Sequence, residues 1–399
     1  MITVSQARKA IVQSCCSLET VSLPIVEALG CVASTDVLSN LAIPPTDNSA
    51  MDGFAVRVAD LNKTSTRLVI SQRIPAGSQA MPLSLNTAAR IFTGGVIPRG
   101  ADAVVIQENC EFDDANVTVL KSVQKGANIR PMGQDISRGA KVVSQGQKLN
   151  AIDISLLASI GHATVDVYRP LKVALFSTGN ELVEPGNILK PGQIYNSNRP
   201  LLAALCQQIG MVVVDCGIVE DTLEATKRAL ASVAEKSDVI ISSGGVSVGD
   251  EDHVKPAIEA LGELSMWKVQ MKPGKPVAFG RVGDIPFLGL PGNPVSSFTV
   301  FQLLGLPLLQ SLQGQIIEEP RAFSVKANFA MATTSREEFI RVKLAYADNG
   351  ELIVDRFANL SSGVMSSLSW ADGLVRQPID TAIELGQVVP FLPLNEGVL

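Results

Sequence analysis

Three short stretches of this 399-residue chain combine glycine with hydroxyl, amide and carboxylate side chains in a pattern suited to holding an anion. They are Ser177-Thr178-Gly179-Asn180-Glu181-Leu182, Ser242-Ser243-Gly244-Gly245-Val246-Ser247-Val248-Gly249-Asp250-Glu251-Asp252 and Leu290-Pro291-Gly292-Asn293-Pro294-Val295-Ser296-Ser297. Glycine lets a backbone turn sharply and approach a ligand closely, and hydroxyls with unpaired N–H groups suit phosphate-like oxygens. One such loop is a weak signal; three are expected to converge on one anion-binding crevice. Glu181, Asp221 and Asp252 would each follow a strand on the same rim. Oxygen ligands of that kind suit Mg²⁺ held against a phosphate, although a carboxylate at a helix start serves equally as a cap. Between the second and third stretches, Trp267–Arg281 concentrates Lys268, Lys272 and Lys275 in an otherwise acidic chain. Lysines usually mark a solvated face, but Pro273, Gly274 and Pro276 constrain Lys272 and Lys275 enough to favour an oxyanion site. Arg341 offers a second cationic contact, or is an ordinary strand-face arginine. Thr93 places a hydroxyl in the glycine-bearing loop Ile91–Asp102, which is otherwise a broad turn.

The elements that must position these groups follow from periodicity. From Leu171 strands at 172–176, 212–218 and 239–242 alternate with helices at 199–209, 223–235 and 253–261. That alternation predicts a largely parallel sheet covered on both faces, which binds ligands beyond the carboxyl ends of its strands. Upstream, Thr3 and Gln6 form a capping-box pattern, and Val4, Ala7, Ile11 and Cys15 share one helical face. A second short helix is expected over Leu23–Leu29, stopped by Gly30, then a strand over Cys31–Leu38 and a break at Ile43–Ser49. From Asp52 to about Asp135 short strands such as 68–74, 103–108 and 117–123 predict a small β-rich unit. Helix Ile152–Ile160, closed by Gly161, returns the chain to the first module before a boundary near Arg169-Pro170. After Glu318 the pattern is β-rich again: a hairpin of Phe339–Ala345 and Glu351–Phe357 over Asn349-Gly350, and a last strand Val388–Leu394, together an open barrel.

Composition excludes several classes. A net charge of −6 and a pI near 5.2 repel nucleic acid and acidic membrane surfaces, so an anionic substrate must be met locally. The apolar windows Leu201–Val219 and Leu303–Leu312 are interrupted by polar residues, glycine or proline, and neither is expected to span a membrane. The start, Met1–Gln6, shows no secretory pattern. Six cysteines without a Cys-x-x-Cys pair, and two histidines, His162 and His253, argue against a zinc site and predict a reduced, cytoplasmic protein. A Ser/His/Asp or Cys/His nucleophile has only His253 beside Asp252 to support it.

Ala50-Met51-Asp52-Gly53-Phe54-Ala55-Val56, Phe92-Thr93-Gly94-Gly95, Gly133-Gln134-Asp135-Ile136, Ser177–Leu182, Ser243–Asp252, Lys272-Pro273-Gly274-Lys275-Pro276 and Pro291-Gly292-Asn293-Pro294 together resemble the MoeA family of molybdopterin molybdenumtransferases, which includes the gephyrin E domain. The match is collinear along almost the whole chain. The resemblance implies insertion of molybdate into adenylyl-molybdopterin with Mg²⁺ assistance, giving molybdenum cofactor and AMP. It also implies a homodimer with its active cleft near the dimer interface, supplied by a molybdopterin adenylyltransferase partner. The implied architecture is multidomain α/β: a discontinuous linker and dimerisation domain over 1–45 and 138–170, a small β-rich domain over 46–137, a central doubly wound, mostly parallel molybdopterin-binding domain over 171–316, and a C-terminal β-barrel-like domain over 317–399. Carried over residue by residue, the functional positions are Asp52, Thr93, Asp135, Glu181, Asp221 and Asp252, with Pro291 and Pro294 shaping their loop and Lys272, Lys275, Arg341 and Ser362 contacting molybdate. Asn180 stands where many relatives carry aspartate, and Ser361 where glycine is commoner. Two rivals are adenylyl transfer to molybdopterin, marked by ATP consumption, and a gephyrin-like scaffold without catalysis, marked by peptide capture.

Overall fold

The computed structural model describes residues 1–13, 18–62, 65–246 and 253–394, with Met266 and Trp267 as backbone only. Cys15, Cys16, Ser247, Gly249, Asp250, Glu251 and Asp252 lie outside the described residues.

The central sheet has the order Val212–Val219, Lys172–Thr178, Val239–Ser243, Ile285–Leu290, Pro276–Val282, Gly262–Lys268. Its first four strands run parallel. The last two are antiparallel additions, formed by the glycine-, proline- and lysine-bearing segment that periodicity left unassigned. Because successive strand residues point to opposite faces, one apolar run feeds two cores. Val173, Leu175, Val239 and Ile241 pack with Leu202, Cys206, Leu308 and Leu309 on one side. Ala174, Phe176 and Ile240 pack with Leu230, Val233, Val254 and Ile258 on the other. Helices therefore cover both faces, and each fully buried Leu, Ile or Phe contributes about 1.5–3 kcal/mol. The N-terminal helix Val4–Gln13 lays Val4, Ala7 and Ile11 onto the first of these cores rather than onto the linker. The helical segment Pro294–Leu312 is long and apolar enough to cross a bilayer, but 72% of it is buried inside the chain.

The linker differs from expectation in one element. Thr20–Pro24 is a strand paired antiparallel with Thr164–Tyr168, followed by a single 3₁₀ turn at Ile25–Glu27, where a helix over 23–29 was expected. Val21 and Leu23 alternate inward against Val165 and Val167, so sheet pairing overrides the helical spacing. The expected strand over 31–38 is reduced to bridges at Val32 and Ala33 and a two-residue strand Val37–Leu38. Helix Ala151–Ser159 forms as its capping chemistry dictates: Asn150 accepts from the Ile152 and Asp153 amides, and Asp153 reciprocates.

Residues 53–119 form a six-stranded open sheet, with Phe54, Val56 and Val105 in one core and Ala55, Ile91 and Val104 in another. At the C-terminal end the expected open barrel is closed. Strand Glu337–Tyr346 is long enough to pair with Gly373–Gln377 through its first half and with Leu352–Arg356 through its second, completing a ring of five strands. The hairpin turn is longer than a two-residue Asn-Gly turn: the Ala347 amide donates to the Glu351 carbonyl, and of the Asn349-Gly350 pair only Gly350 has positive φ, at 81°. A short strand, Met271–Lys272, joins this barrel in parallel beside Glu337–Glu338. It stitches the cationic segment of the central domain to the barrel.

Candidate active site

Strand register places Thr178 level with Val219, Ser177 with Ser243, and Ser243 with Leu290. The parallel strands thus end on one rim, and their loops surround a single cavity of about 770 Å³. Thr178, Gly179, Glu181, Asp221, Ser243, Gly244, Gly245, Pro291, Gly292, Asn293 and Pro294, all singled out from sequence, line it. Ser177 is fully buried just behind, its hydroxyl 3.4 Å from Asn196 Oδ1.

Two glycines are required by local geometry. Gly244 and Gly245 have φ of 95° and 68°, and a Cβ on Gly245 would stand 2.4 Å from Val254 Cγ2 and 2.7 Å from Thr178 Oγ1. The second and third loops are joined by a residue that periodicity assigned only to the approach of a helix. Asn198, 8% exposed, donates from Nδ2 to Ser243 Oγ at 2.9 Å and to the Gly292 carbonyl at 2.7 Å. The signal in the sequence was the run Asn196-Ser197-Asn198, which also supplies the cavity lining. Tyr195, Met365 and Gly363 of the lining were likewise not anticipated, the last two because they come from the C-terminal region.

The polar atoms around the cavity are built for a ligand. Thr178 Oγ1, Asn196 Nδ2 and Asn198 Oδ1 of the lining, and Ser242 Oγ beside it in sequence, are buried with no hydrogen-bond partner among the described residues. Leaving such groups unpaired costs about 1–3 kcal/mol each; phosphate oxygens would satisfy the hydroxyls and Asn196 Nδ2, and a sugar hydroxyl or base N–H would satisfy Asn198 Oδ1. Glu181 and Asp221 are the acidic lining residues, and Asp252 lies outside the described residues. Among the described residues no group of three or more His, Cys, Asp or Glu stands close enough to hold a metal. Two carboxylates fit Mg²⁺, which commonly takes one or two protein carboxylates and completes its shell with water and phosphate oxygens.

The oxyanion candidates gather in part. Lys272 Nζ lies 3.1 Å from Glu338 Oε1 and 3.2 Å from Oε2. Arg341, 1% exposed, donates from Nη2 to the Asn359 and Ser361 carbonyls at 3.2 and 3.3 Å, and its Nε has no partner among the described residues. Burial pushes its pKa down from the usual guanidinium value, against the pull of Glu338. One buried carboxylate therefore faces two cations, leaving positive charge for an anion. Ser362 connects this cluster to the cavity: its carbonyl accepts from the Val295 amide at 3.0 Å, next to lining residues Pro294 and Gly363. Lys268 and Lys275 are exposed and lie outside the lining, Lys268 at a strand end opposite Pro276.

Asp52, Thr93 and Asp135 likewise lie outside the cavity lining. Asp52 Oδ1 accepts from the Thr93 amide and hydroxyl, both at 2.8 Å, and the amide first, then the hydroxyl, hold the carboxyl below the usual range. Asp135 sits in a turn whose amide donates to the Ile43 carbonyl at 2.9 Å.

Comparison with known proteins covers the same ground. Residues 2–161 match the model of the MoeA N-terminal region, domains I and II; residues 174–311 match a probable molybdopterin binding domain; residues 324–394 match the MoeA C-terminal region, domain IV. A protein of Haemophilus influenzae named molybdopterin molybdenumtransferase is 40% identical over 99% of both chains. One of the same name from Nostoc is 36% identical over 92% of this chain and 87% of its own. A crystal structure of a molybdopterin biosynthesis MoeA protein from Pyrococcus horikoshii superposes with a TM-score of 0.84 at 30% identity, covering 100% of both chains. Matched from end to end in sequence and in fold, the chain belongs to the MoeA family.

Proposed function

We propose that this chain inserts molybdate into adenylyl-molybdopterin, yielding molybdenum cofactor and AMP. The observation that carries the reading is the convergence of three glycine loops and two carboxylates on one cavity, with the Lys272–Glu338–Arg341 cluster adjoining it through Ser362. The chemistry requires that juxtaposition. Molybdate is a dianion and the substrate carries a phosphoanhydride, so repulsion must be offset before the dithiolene sulfurs reach the metal. The rim loops, braced by Asn198, bind and orient the nucleotide phosphates, while Arg341 and Lys272 attract the oxyanion. Glu181 and Asp221 would hold Mg²⁺, which supplies charge neutralisation at the anhydride when bound. Asp52, Thr93 and Asp135 act across a homodimer interface, a reading supported by the exposure of Met51 and Met132 beside them. The family's curated relatives bear the transferase name, which supports the reaction class.

The test is incubation of the purified chain with adenylyl-molybdopterin, Mg²⁺ and graded molybdate, following AMP. AMP release that rises and saturates with molybdate is expected. ATP consumption by the chain alone would favour adenylyl transfer instead, and tight peptide capture without AMP release would favour a scaffold.

A further inference from the structure

Between the first rim loop and helix Asn198–Gln208 the chain makes a short flap, in which Leu182–Val183 pairs in parallel with Ile194–Tyr195. Leu182, Ile194 and Tyr195 all line the cavity, and Tyr195 is the one aromatic residue among the described lining. The ring is held in place, because its hydroxyl donates to the Asn187 carbonyl at 2.9 Å, yet the residue remains 45% exposed. The flap itself is anchored. The Ile194 amide donates to the Glu181 carbonyl at 2.8 Å and the Asn196 amide to the Val183 carbonyl at 2.9 Å. Glu184 accepts from Arg199 Nη2 with both oxygens, at 2.5 and 2.6 Å, and Arg199 Nη1 is paired to Asp215. Much of the rest of the lining is glycine, amide and hydroxyl, suited to phosphates and sugar.

An oriented aromatic ring in the lining of a cavity that also holds a polar phosphate cradle matches a ligand that is a planar heteroaromatic ring at one end and a phosphate at the other. Resting on the function proposed above, we propose that Tyr195 is the stacking wall for one of the two planar rings of the adenylylated pterin. Arg199 is a positioning residue that keeps the flap in register through Glu184. Tyr195 is thereby a specificity determinant: it selects for the ring and leaves phosphate affinity to the rim loops.

Calorimetric titration of the full chain with AMP, pterin-6-carboxylate and ribose 5-phosphate tests this. Tyr195→Ala is expected to weaken AMP or pterin-6-carboxylate about tenfold to a hundredfold, with ribose 5-phosphate changed less than about twofold and the melting temperature retained. Whichever ring ligand responds identifies the ring that stacks. Tyr195→Phe keeps most of the affinity, and Arg199→Lys weakens the same ring ligand while sparing ribose 5-phosphate. The inference is overturned if neither ring ligand binds the unmutated chain, if Tyr195→Ala affects neither, or if ribose 5-phosphate weakens equally. Failure here with intact molybdate-dependent AMP release leaves the proposed function standing. Ring binding through Tyr195 without any AMP release contradicts that function alone.

Discussion

Asn198 offers the sharpest perturbation, because one side-chain amide holds two rim loops together. Replacing it by alanine removes the donors to Ser243 Oγ and the Gly292 carbonyl. At about 1 kcal/mol for each neutral hydrogen bond the loss is about 2 kcal/mol, which lowers the melting temperature by roughly 4–8 °C. Asn198→Asp loses the same two donors and adds a charge, so its difference from Asn198→Ala isolates the charge. It keeps the shape but places an anion on the cavity wall. At about 5 Å from a bound phosphate and an effective dielectric near 20, the repulsion is about 3 kcal/mol per phosphate charge, or roughly a hundredfold in affinity. Calorimetric titration with AMP, alongside thermal melting, reads both effects. AMP binding by Asn198→Asp within about twofold of the unmutated chain would refute the claim that this cavity holds phosphate.

The remaining predictions concern the cation cluster, the domain seam and the thiols. Arg341→Met preserves volume but removes the buried guanidinium beside Glu338; the molybdate concentration for half-maximal AMP release is expected to rise at least about tenfold, the scale of one charge-assisted contact, with AMP affinity unchanged. Asp238 accepts from Arg169 at 2.7 and 2.8 Å and from the Lys172 amide at 2.8 Å. Burial alone would raise its pKa, but these contacts outweigh it and hold the carboxyl below its ordinary value of 3.8. The stability it contributes is therefore complete above that value and lost as pH falls through the lower, folded-state pKa. The melting temperature of the unmutated chain should fall more steeply below about pH 4 than that of Asp238→Asn; parallel curves would contradict the assignment. Burial pushes the Cys206 thiol to about 12 and the Cys110 thiol, partly countered by Arg90, to about 11. Iodoacetamide at neutral pH should leave both unlabelled in the native chain and label both in denaturant, as peptide mapping would show.

Much of the central domain was legible because apolar strand runs alternate with helix-like segments, a pattern that points to a doubly covered parallel sheet. The three rim loops followed from the same logic, since level strand ends bring their loops together. What escaped was determined by long-range pairing. The antiparallel strands Gly262–Lys268 and Pro276–Val282 are masked in sequence by lysine, proline and glycine. The barrel closes only because one strand spans two partners. Thr20–Pro24 takes its conformation from Thr164–Tyr168, some 140 residues away, and no local propensity reports that. Asn198 was hidden for a different reason: an asparagine before a helix has an ordinary capping explanation, and only the fold shows its amide reaching two other loops. Arg341 was legible as a cation but not as a buried one, because its burial arises from closure of the barrel.

The most direct test of the whole account is a crystal structure of the chain with AMP and molybdate bound together. The account predicts the AMP phosphate within hydrogen-bond reach of Thr178 or the Gly244-Gly245 backbone, and the oxyanion beside Arg341 and Lys272. AMP or molybdate ordered only at sites remote from this cavity and its adjoining cations would contradict it.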